Sequence, residues 1–111
     1  MLTVYGIKQC DSCRKAIKWL DAQGMEYRFH DIRIDGLEAG QLRCWLDSSF
    51  ADSLVNRRST TWRQLNEEQR LYEGNALLEL LLQYPTLIKR PVFMTNKIVA
   101  VGFKPKELME I

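Results

Sequence analysis

Residues 2–31 read LTVYGIKQCDSCRKAIKWLDAQGMEYRFHD and carry the clearest structural pattern in this chain. The apolar run at the start predicts a buried strand near residues 2–5. Apolar or small residues then recur at positions 13, 16, 17 and 20, the spacing of a helix with one buried face, and we predict that helix over 11–22. Gly24 fits the left-handed position that ends a helix, and alternation predicts a second strand over 26–31. A strand, a helix and a strand in this order predict parallel strands joined by a right-handed crossover.

The middle of the chain is predicted to be helical. We expect helices over 37–48 and 51–55 and a helix capped by Asn66 with Gln69 three residues later. A further helix is marked by Leu77, Leu80, Leu81 and Tyr84, and Pro85 ends it.

The last part of the chain returns to strands. Short β-prone runs at 92–94 and 98–101 predict an antiparallel hairpin, and Lys104-Pro105 opens a final helix. We expect Met109 and Ile111 to cover the sheet. The order β-α-β, helices, β-β-α predicts an α/β, thioredoxin-like fold. Residues 1–111 would form a single domain with an all-helical insertion at about 36–75.

The composition is that of an ordinary soluble domain. The chain has 111 residues, of which 46% are hydrophobic and 27% charged, with a net charge of +2. This charge is too small to argue for nucleic acid or membrane binding, and we expect neither partner. The first residues lack the pattern of a signal peptide, so we expect a cytoplasmic protein, and a monomer is the default for this size.

The Cys10-Asp11-Ser12-Cys13 motif lies between the first strand and the first helix, which is typical of thioredoxin-like redox sites. A helix start favours a thiolate, so Cys10 is the predicted nucleophile. Cys13 is either the thiol that resolves a mixed disulfide or a small core residue, and the sequence leaves both open. A zinc site is disfavoured because only Cys44 and His30 remain as further ligands. We expect Cys44 to be a packing residue and His30 to be structural.

Arg90-Pro91 precedes the predicted hairpin. Proline removes a backbone donor there, and a thioredoxin-like fold has a cis-proline at this point, packed against the active cysteine. Arg90 is a candidate to stabilise the Cys10 thiolate or to hold an anion, and the alternative is an ordinary surface arginine.

Several separated motifs resemble the arsenate reductase (ArsC)/Spx family, over essentially the whole chain. They include the stretch from Tyr5 to Ala16, Leu87 to Val92, and Val101-Gly102-Phe103. Phe29-His30-Asp31 and the stretch from Asn56 to Leu65 are similar to the YffB branch, whose members are described as glutathione-dependent thiol reductases.

The resemblance implies roles for individual residues. Cys10 matches the cysteine that attacks arsenate in the reductases, and Arg90 matches the second of three arginines that hold the oxyanion. Lys104 falls where the third arginine is expected, and Asn56 falls where the first is expected. Neither residue offers the bidentate fork of arginine, so arsenate reduction is doubtful, although Arg57 and Arg58 lie next to Asn56. The predicted catalytic residues are Cys10, Cys13 and Arg90. The predicted substrate or glutathione contacts are Asn56, Arg57, Arg58, Pro91 and Lys104.

Three functions remain open. The first is a thiol–disulfide oxidoreductase with glutathione as co-substrate, no tightly bound cofactor and no metal. The second is an arsenate reductase. The third is an Spx-like redox-sensing regulator that binds RNA polymerase.

Overall fold

The computed structural model describes residues 1–108, and these contain a four-stranded mixed sheet. Strand β1 (Leu2–Gly6) lies between β2 (Tyr27–Asp31) and β3 (Val92–Met94), while β4 (Ile98–Val101) pairs with β3. β1 and β2 are parallel, and the pairs β1–β3 and β3–β4 are antiparallel. The predicted β-α-β unit, the hairpin and the thioredoxin-like fold are therefore confirmed.

Helix α1 (Asp11–Ala22) connects β1 to β2 with the bounds that the sequence predicts. It ends just before Gly24, which adopts the left-handed conformation with φ +68°. The apolar face of α1 packs against the sheet. Its buried residues form one cluster with residues of three strands and of the short helix over 105–108. That cluster contains Leu2, Val4, Ala16, Leu20, Phe93, Ala100 and Leu108.

The chain divides into two compact units. The first contains residues 1–36 and the chain from 90 onwards, and the second contains 37–89. The single domain predicted for 1–111 stays a prediction. The first unit holds the sheet, α1 and α7 (Pro105–Leu108). The helices of the second unit are α2 (Ala39–Leu46), α3 (Ala51–Leu54), α4 (Thr60–Gln64), α5 (Glu67–Arg70), α6 (Gly74–Gln83) and a 3₁₀ turn at Pro85–Leu87.

Helix α5 shows the predicted capping most clearly. The Asn66 side chain accepts from the Gln69 backbone N–H at 2.8 Å, and the Gln69 side chain accepts from the Asn66 N–H at 3.0 Å. This reciprocal capping box satisfies two donors that a helix start otherwise leaves unpaired. α2 is shorter than predicted by two residues at each end, and α6 begins at Gly74 and ends at Gln83, before Pro85.

Helix α4 was not predicted. Ser59 caps it, because the hydroxyl oxygen of Ser59 accepts from the Trp62 N–H at 3.1 Å. The β-branched Thr60 and Thr61 are weak helix formers, so this single turn depends on its cap rather than on propensity.

One expectation about packing is wrong. Cys44 lies on α2 but is exposed, whereas its neighbour Trp45 is 1% exposed. Successive helical residues point about 100° apart, so burial of Trp45 turns Cys44 outward. Met109 and Ile111, expected to cover the sheet, lie outside the described residues. Within residues 1–108, no helix is both long and apolar enough to cross a membrane.

Candidate active site

Cys10 occupies the N-cap position of α1 with extended backbone angles. Its N–H donates to the Ile7 carbonyl at 3.0 Å, and its carbonyl accepts from the Arg14 N–H at 2.9 Å. The side chain of Cys10 makes no capping hydrogen bond. The residue is half-buried at the positive end of a three-turn helix, which is a favourable place for a thiolate.

The surroundings of the Cys10 sulfur favour its charged form. Burial raises the pKa of the Cys10 thiol, but the Cys13 backbone N–H, the Arg90 side chain and the Cys13 thiol each favour the thiolate and lower the pKa. The positive charge of Arg90 acts in the same direction. Together these contacts bring the pKa of Cys10 below its ordinary value, so the structure brings Cys10, Cys13 and Arg90 into one electrostatic group.

Cys13 has the opposite character. Its residue is 1% exposed, and burial, which is only partly offset by the Ile7 backbone N–H, raises the pKa of Cys13 to about 12. The negative charge of Cys10 and the hydrogen bond between the two thiols contribute to this rise. Cys13 therefore stays protonated while Cys10 is a thiolate, and it donates to Cys10 rather than competing with it as a nucleophile.

Gly6 makes room for the buried thiol. A Cβ atom added to Gly6 would lie 2.5 Å from the Cys13 Sγ, a distance that real Cβ atoms essentially never show. The end of β1 must therefore lack a side chain for Cys13 to lie where it does.

Pro91 is buried, and the Arg90–Pro91 peptide bond is cis, as the fold class implies. The Pro91 carbonyl accepts from the Gly102 N–H at 2.8 Å, which ties the start of β3 to the end of β4. Arg90 is half-buried rather than a surface arginine, and its charge and side-chain contact reach the Cys10 sulfur.

Asp31 is the residue at this end of the sheet that sequence reasoning missed. It is 3% exposed at the end of β2, opposite Gly6 in the β1–β2 register. Its carboxylate accepts from the backbone N–H of Lys8 at 3.1 Å and from two N–H groups of the following turn. Although burial raises its pKa, these donors and the Lys8 charge hold the pKa of Asp31 below its usual value. Its place in the Phe29-His30-Asp31 motif was the available signal.

The other predicted contact residues lie elsewhere in the chain. Asn56, Arg57 and Arg58 belong to the second unit, where the Asn56 Oδ1 accepts from the Arg58 N–H at 3.0 Å. Arg57 is exposed, and its guanidinium lies 5.7 Å from the centre of the Trp62 ring. Lys104 is exposed immediately before α7. The roles of these four residues stay predictions.

His30, the single histidine of the chain, packs beside Tyr5. The His30 ring lies 4.8 Å from the Tyr5 ring, and its Nε2 is 2.6 Å from the Gly36 carbonyl oxygen, which fits the expected structural role. Among residues 1–108, no group of three or more His, Cys, Asp or Glu side chains is arranged to hold a metal ion.

Two cavities adjoin the loop that precedes Cys10. One, of about 370 Å³, is lined by Ile7, Lys8, Gln9, Asp31, Arg33 and Ile34. The other, of about 510 Å³, is mostly apolar and runs along α1; it is lined by Lys8, Cys13, Arg14, Ile17, Lys18, Asp21, Tyr27 and Phe29. Both present cationic side chains at the loop, and Cys13 lines the second one.

The fold and the paired cysteines at the start of α1 define a thioredoxin-like protein with a C-x-x-C site. The chain belongs to the ArsC family, whose family model matches residues 5–111.

Two relatives illustrate the breadth of the family. A Haemophilus influenzae protein of uncharacterized function is 44% identical over 96% of this chain and 95% of its own length. The global transcriptional regulator Spx of Streptococcus pneumoniae is 30% identical over 97% of this chain and 83% of its own length.

Two solved structures are similar throughout. The YffB protein is 37% identical, with a TM-score of 0.90, over 99% of this chain and 97% of its own. An arsenate reductase (ArsC) related protein from Brucella melitensis is 40% identical, with a TM-score of 0.77, over 98% of this chain and 92% of its own.

Proposed function

We propose that this protein is a thiol–disulfide oxidoreductase that uses glutathione as co-substrate. The observation that carries the proposal is the state of Cys10, a helix N-cap thiol whose pKa is lowered by the Cys13 N–H, by Arg90 and by the Cys13 thiol against the opposing effect of burial. A thiol with a lowered pKa carries a larger thiolate fraction at a given pH, and the thiolate is the form that attacks a disulfide.

The chemistry begins when the Cys10 thiolate attacks the glutathione sulfur of a glutathionylated thiol. The substrate's S–S bond breaks, a Cys10–glutathione disulfide forms and the substrate thiolate leaves with the electron pair of the broken bond. A glutathione thiolate then attacks the mixed disulfide, which yields oxidised glutathione and restores the Cys10 thiolate. The sum converts one glutathionylated thiol and one glutathione into one thiol and one oxidised glutathione.

Cys13 offers an alternative second step, and the pKa of its thiol determines when it can attack. Once Cys10 is part of a disulfide its charge is gone, so one of the influences that raise the pKa of Cys13 disappears. Cys13 can then lose its proton and attack the Cys10 sulfur, which releases glutathione and leaves a Cys10–Cys13 disulfide. Two further glutathione molecules reduce that disulfide and leave as oxidised glutathione.

The charges around the loop suit glutathione, which carries two carboxylates. The cavity beside residues 7–9 presents Lys8 and Arg33, both exposed, while the nearby Asp31 is already occupied by backbone donors. Arg57 and Arg58 remain the contacts that the sequence predicted.

The test is the glutathione-dependent reduction of a glutathionylated peptide, followed as oxidised glutathione formed. Cys10→Ser is expected to reduce the rate to the uncatalysed level, because no other thiol has the same activation. Cys44→Ser is the matched control, since it removes an exposed thiol outside the site, and it should keep the parent rate. Full turnover by Cys10→Ser would contradict the proposal.

The same assay separates the two second steps. If Cys13 resolves the intermediate, Cys13→Ser accumulates a glutathione adduct on Cys10 that mass spectrometry detects, and turnover slows. If glutathione resolves it, Cys13→Ser turns over at the parent rate. Arsenate in place of the peptide tests the arsenate reductase alternative, for which arsenite formation is the readout.

A redox-sensing regulator is the second candidate, and the similarity to Spx over 97% of this chain favours it. It predicts that purified RNA polymerase binds the Cys10–Cys13 disulfide form and the reduced form with different affinities. The Cys10→Ser and Cys13→Ser variants should then bind as the reduced form does under both conditions. Equal binding of the oxidised and reduced protein would remove this candidate.

A further inference from the structure

The loop that carries Cys10 is held from one side by its own turn and from the other side by a strand far away in sequence. The Cys10 N–H donates to the Ile7 carbonyl at 3.0 Å, which closes the turn. The Lys8 N–H, inside that turn, donates to the Asp31 Oδ2 at 3.1 Å across 23 residues of sequence.

The far side of this contact is itself fixed. The other oxygen of Asp31, Oδ1, accepts from the N–H groups of Arg33 at 2.9 Å and Ile34 at 3.1 Å. The Ile32 N–H donates to the Gly6 carbonyl at 2.9 Å, so the ends of β1 and β2 are also joined directly. A carboxylate that accepts several backbone N–H groups in a buried place is a rigid anchor.

We infer that Asp31 is a positioning residue for the nucleophile, because its carboxylate fixes the Ile7–Lys8 segment from which both cysteines are aligned. The Ile7 carbonyl accepts from the Cys10 N–H at 3.0 Å, and the Ile7 backbone N–H is close enough to the Cys13 sulfur to lower the pKa of that thiol. If the Lys8 N–H loses its acceptor, the loop moves and the Cys10 sulfur loses alignment with its donors on Cys13 and Arg90. This inference rests on the proposed role of Cys10 as a thiolate nucleophile.

The two oxygens of Asp31 have different partners, which makes one substitution selective. In Asp31→Asn, the amide oxygen can still accept from Arg33 and Ile34, as Oδ1 does now. The amide NH₂ then faces the Lys8 N–H, donor against donor, so the substitution breaks the loop contact specifically. Asp35→Asn is the matched control, because the Asp35 Oδ2 accepts from the Asp31 N–H at 3.2 Å in the same turn, whereas the Lys8 N–H donates to Asp31.

An electrostatic role of Asp31 and a positioning role predict opposite shifts in the pKa of Cys10, so measuring that pKa distinguishes the two. The charged groups around Asp31 are Lys8, Arg33 and Asp35, and those around Cys10 are Arg90 and the exposed Asp11. Removing a negative charge from this region lowers the pKa of Cys10 if Asp31 acts only through its field. A displaced loop raises it, because the donors to the sulfur are lost.

The experiment is the pH dependence of iodoacetamide alkylation of Cys10 in the full-length protein, assigned by tandem mass spectrometry of the peptide that contains Cys10 and Cys13. For Asp31→Asn we expect the midpoint to rise by about one pH unit, which is about tenfold slower alkylation well below the midpoint. Asp35→Asn removes a negative charge from the same turn but leaves the contact between Lys8 and Asp31, so it should not raise the midpoint. A midpoint that falls, or that is unchanged while only the melting temperature drops, would overturn the inference.

A second variant keeps the test open if Asp31→Asn does not fold. Asp31→Glu retains the charge and the acceptor oxygens but displaces them, so a higher Cys10 midpoint in this variant reports geometry alone, and an unchanged midpoint contradicts the inference. The parent protein separates the two proposals. If its Cys10 shows no lowered midpoint, the proposed function fails at once, whereas a lowered parent midpoint that neither variant changes removes only the role of Asp31.

Discussion

At the scale of single residues, the reactivity of the site depends on which of two sulfur atoms carries the negative charge. Cys10 and Cys13 are three positions apart on one helix, yet one pKa is lowered and the other is raised. Burial disfavours both thiolates, and the donors to Cys10 reverse that effect at one sulfur only. Under the proposed function, this asymmetry favours Cys10 as the attacking thiol.

Arg90 is the residue whose substitution tests this asymmetry. Arg90→Ala removes both a donor to the Cys10 sulfur and a nearby positive charge, so the pKa of Cys10 should rise towards its ordinary value of about 8.5. Arg90→Lys keeps the charge but loses the planar fork and should give a smaller rise. The absorbance of the thiolate at 240 nm against pH measures both, with Cys10→Ser subtracted. Equal midpoints in all three proteins would exclude a role for Arg90 in thiolate stabilisation.

At the scale of secondary-structure elements, short helices in the second unit depend on their caps. Helix α5 has four residues, too few for propensity to hold it, and the capping box at Asn66 supplies two of its hydrogen bonds. Asn66→Ala is expected to lower the free energy of unfolding by about 1 kcal/mol.

Urea denaturation with a matched control measures the contribution of this cap. Asn66→Ser retains a side-chain acceptor and should stay close to the parent, so a loss of equal size in both variants would show that the cap is not the cause.

The elements also show what sequence reasoning can and cannot supply. The bounds of α1 were predictable because its apolar period is regular and Gly24 ends it. The burial of Leu42 and Trp45 follows from the same kind of period. The same period predicts that Cys44, one position before Trp45, faces outward. Helix α4 escaped prediction because Ser59 acts within a single turn.

The anchoring of the Cys10 loop was beyond local reasoning for a different reason. It joins Lys8 to Asp31 through a backbone N–H, a group that every residue except proline carries and that no motif marks. Cys10, Cys13 and Arg90 could be predicted as one site only because the fold class brings the start of α1 near the start of β3. The opposite pKa shifts of Cys10 and Cys13 required the coordinates.

At the scale of the whole molecule, a lowered thiol pKa couples the active site to folding stability. Cys10 has a lower pKa in the folded protein than in the unfolded chain, where it is about 8.5. Its contribution to stability is therefore fully present above pH 8.5 and is lost as the pH falls through the folded value.

The difference in melting temperature between the reduced parent and Cys10→Ser should accordingly grow as the pH is raised from 5 to 8.5. Differential scanning calorimetry at several pH values measures it. The slope matters rather than the offset, because the substitution itself can change packing, and a difference that is constant across this range would contradict a stabilised thiolate.

The close approach of Gly6 to the Cys13 sulfur has a consequence for the evolution and engineering of such sites. The position of the second cysteine depends on the neighbouring strand as well as on the C-x-x-C motif itself. One methyl group at position 6 would occupy the volume of the second sulfur and displace it. A C-x-x-C motif can thus be intact in the sequence and still lack the space that holds its second sulfur, and the difference is a single carbon atom on β1.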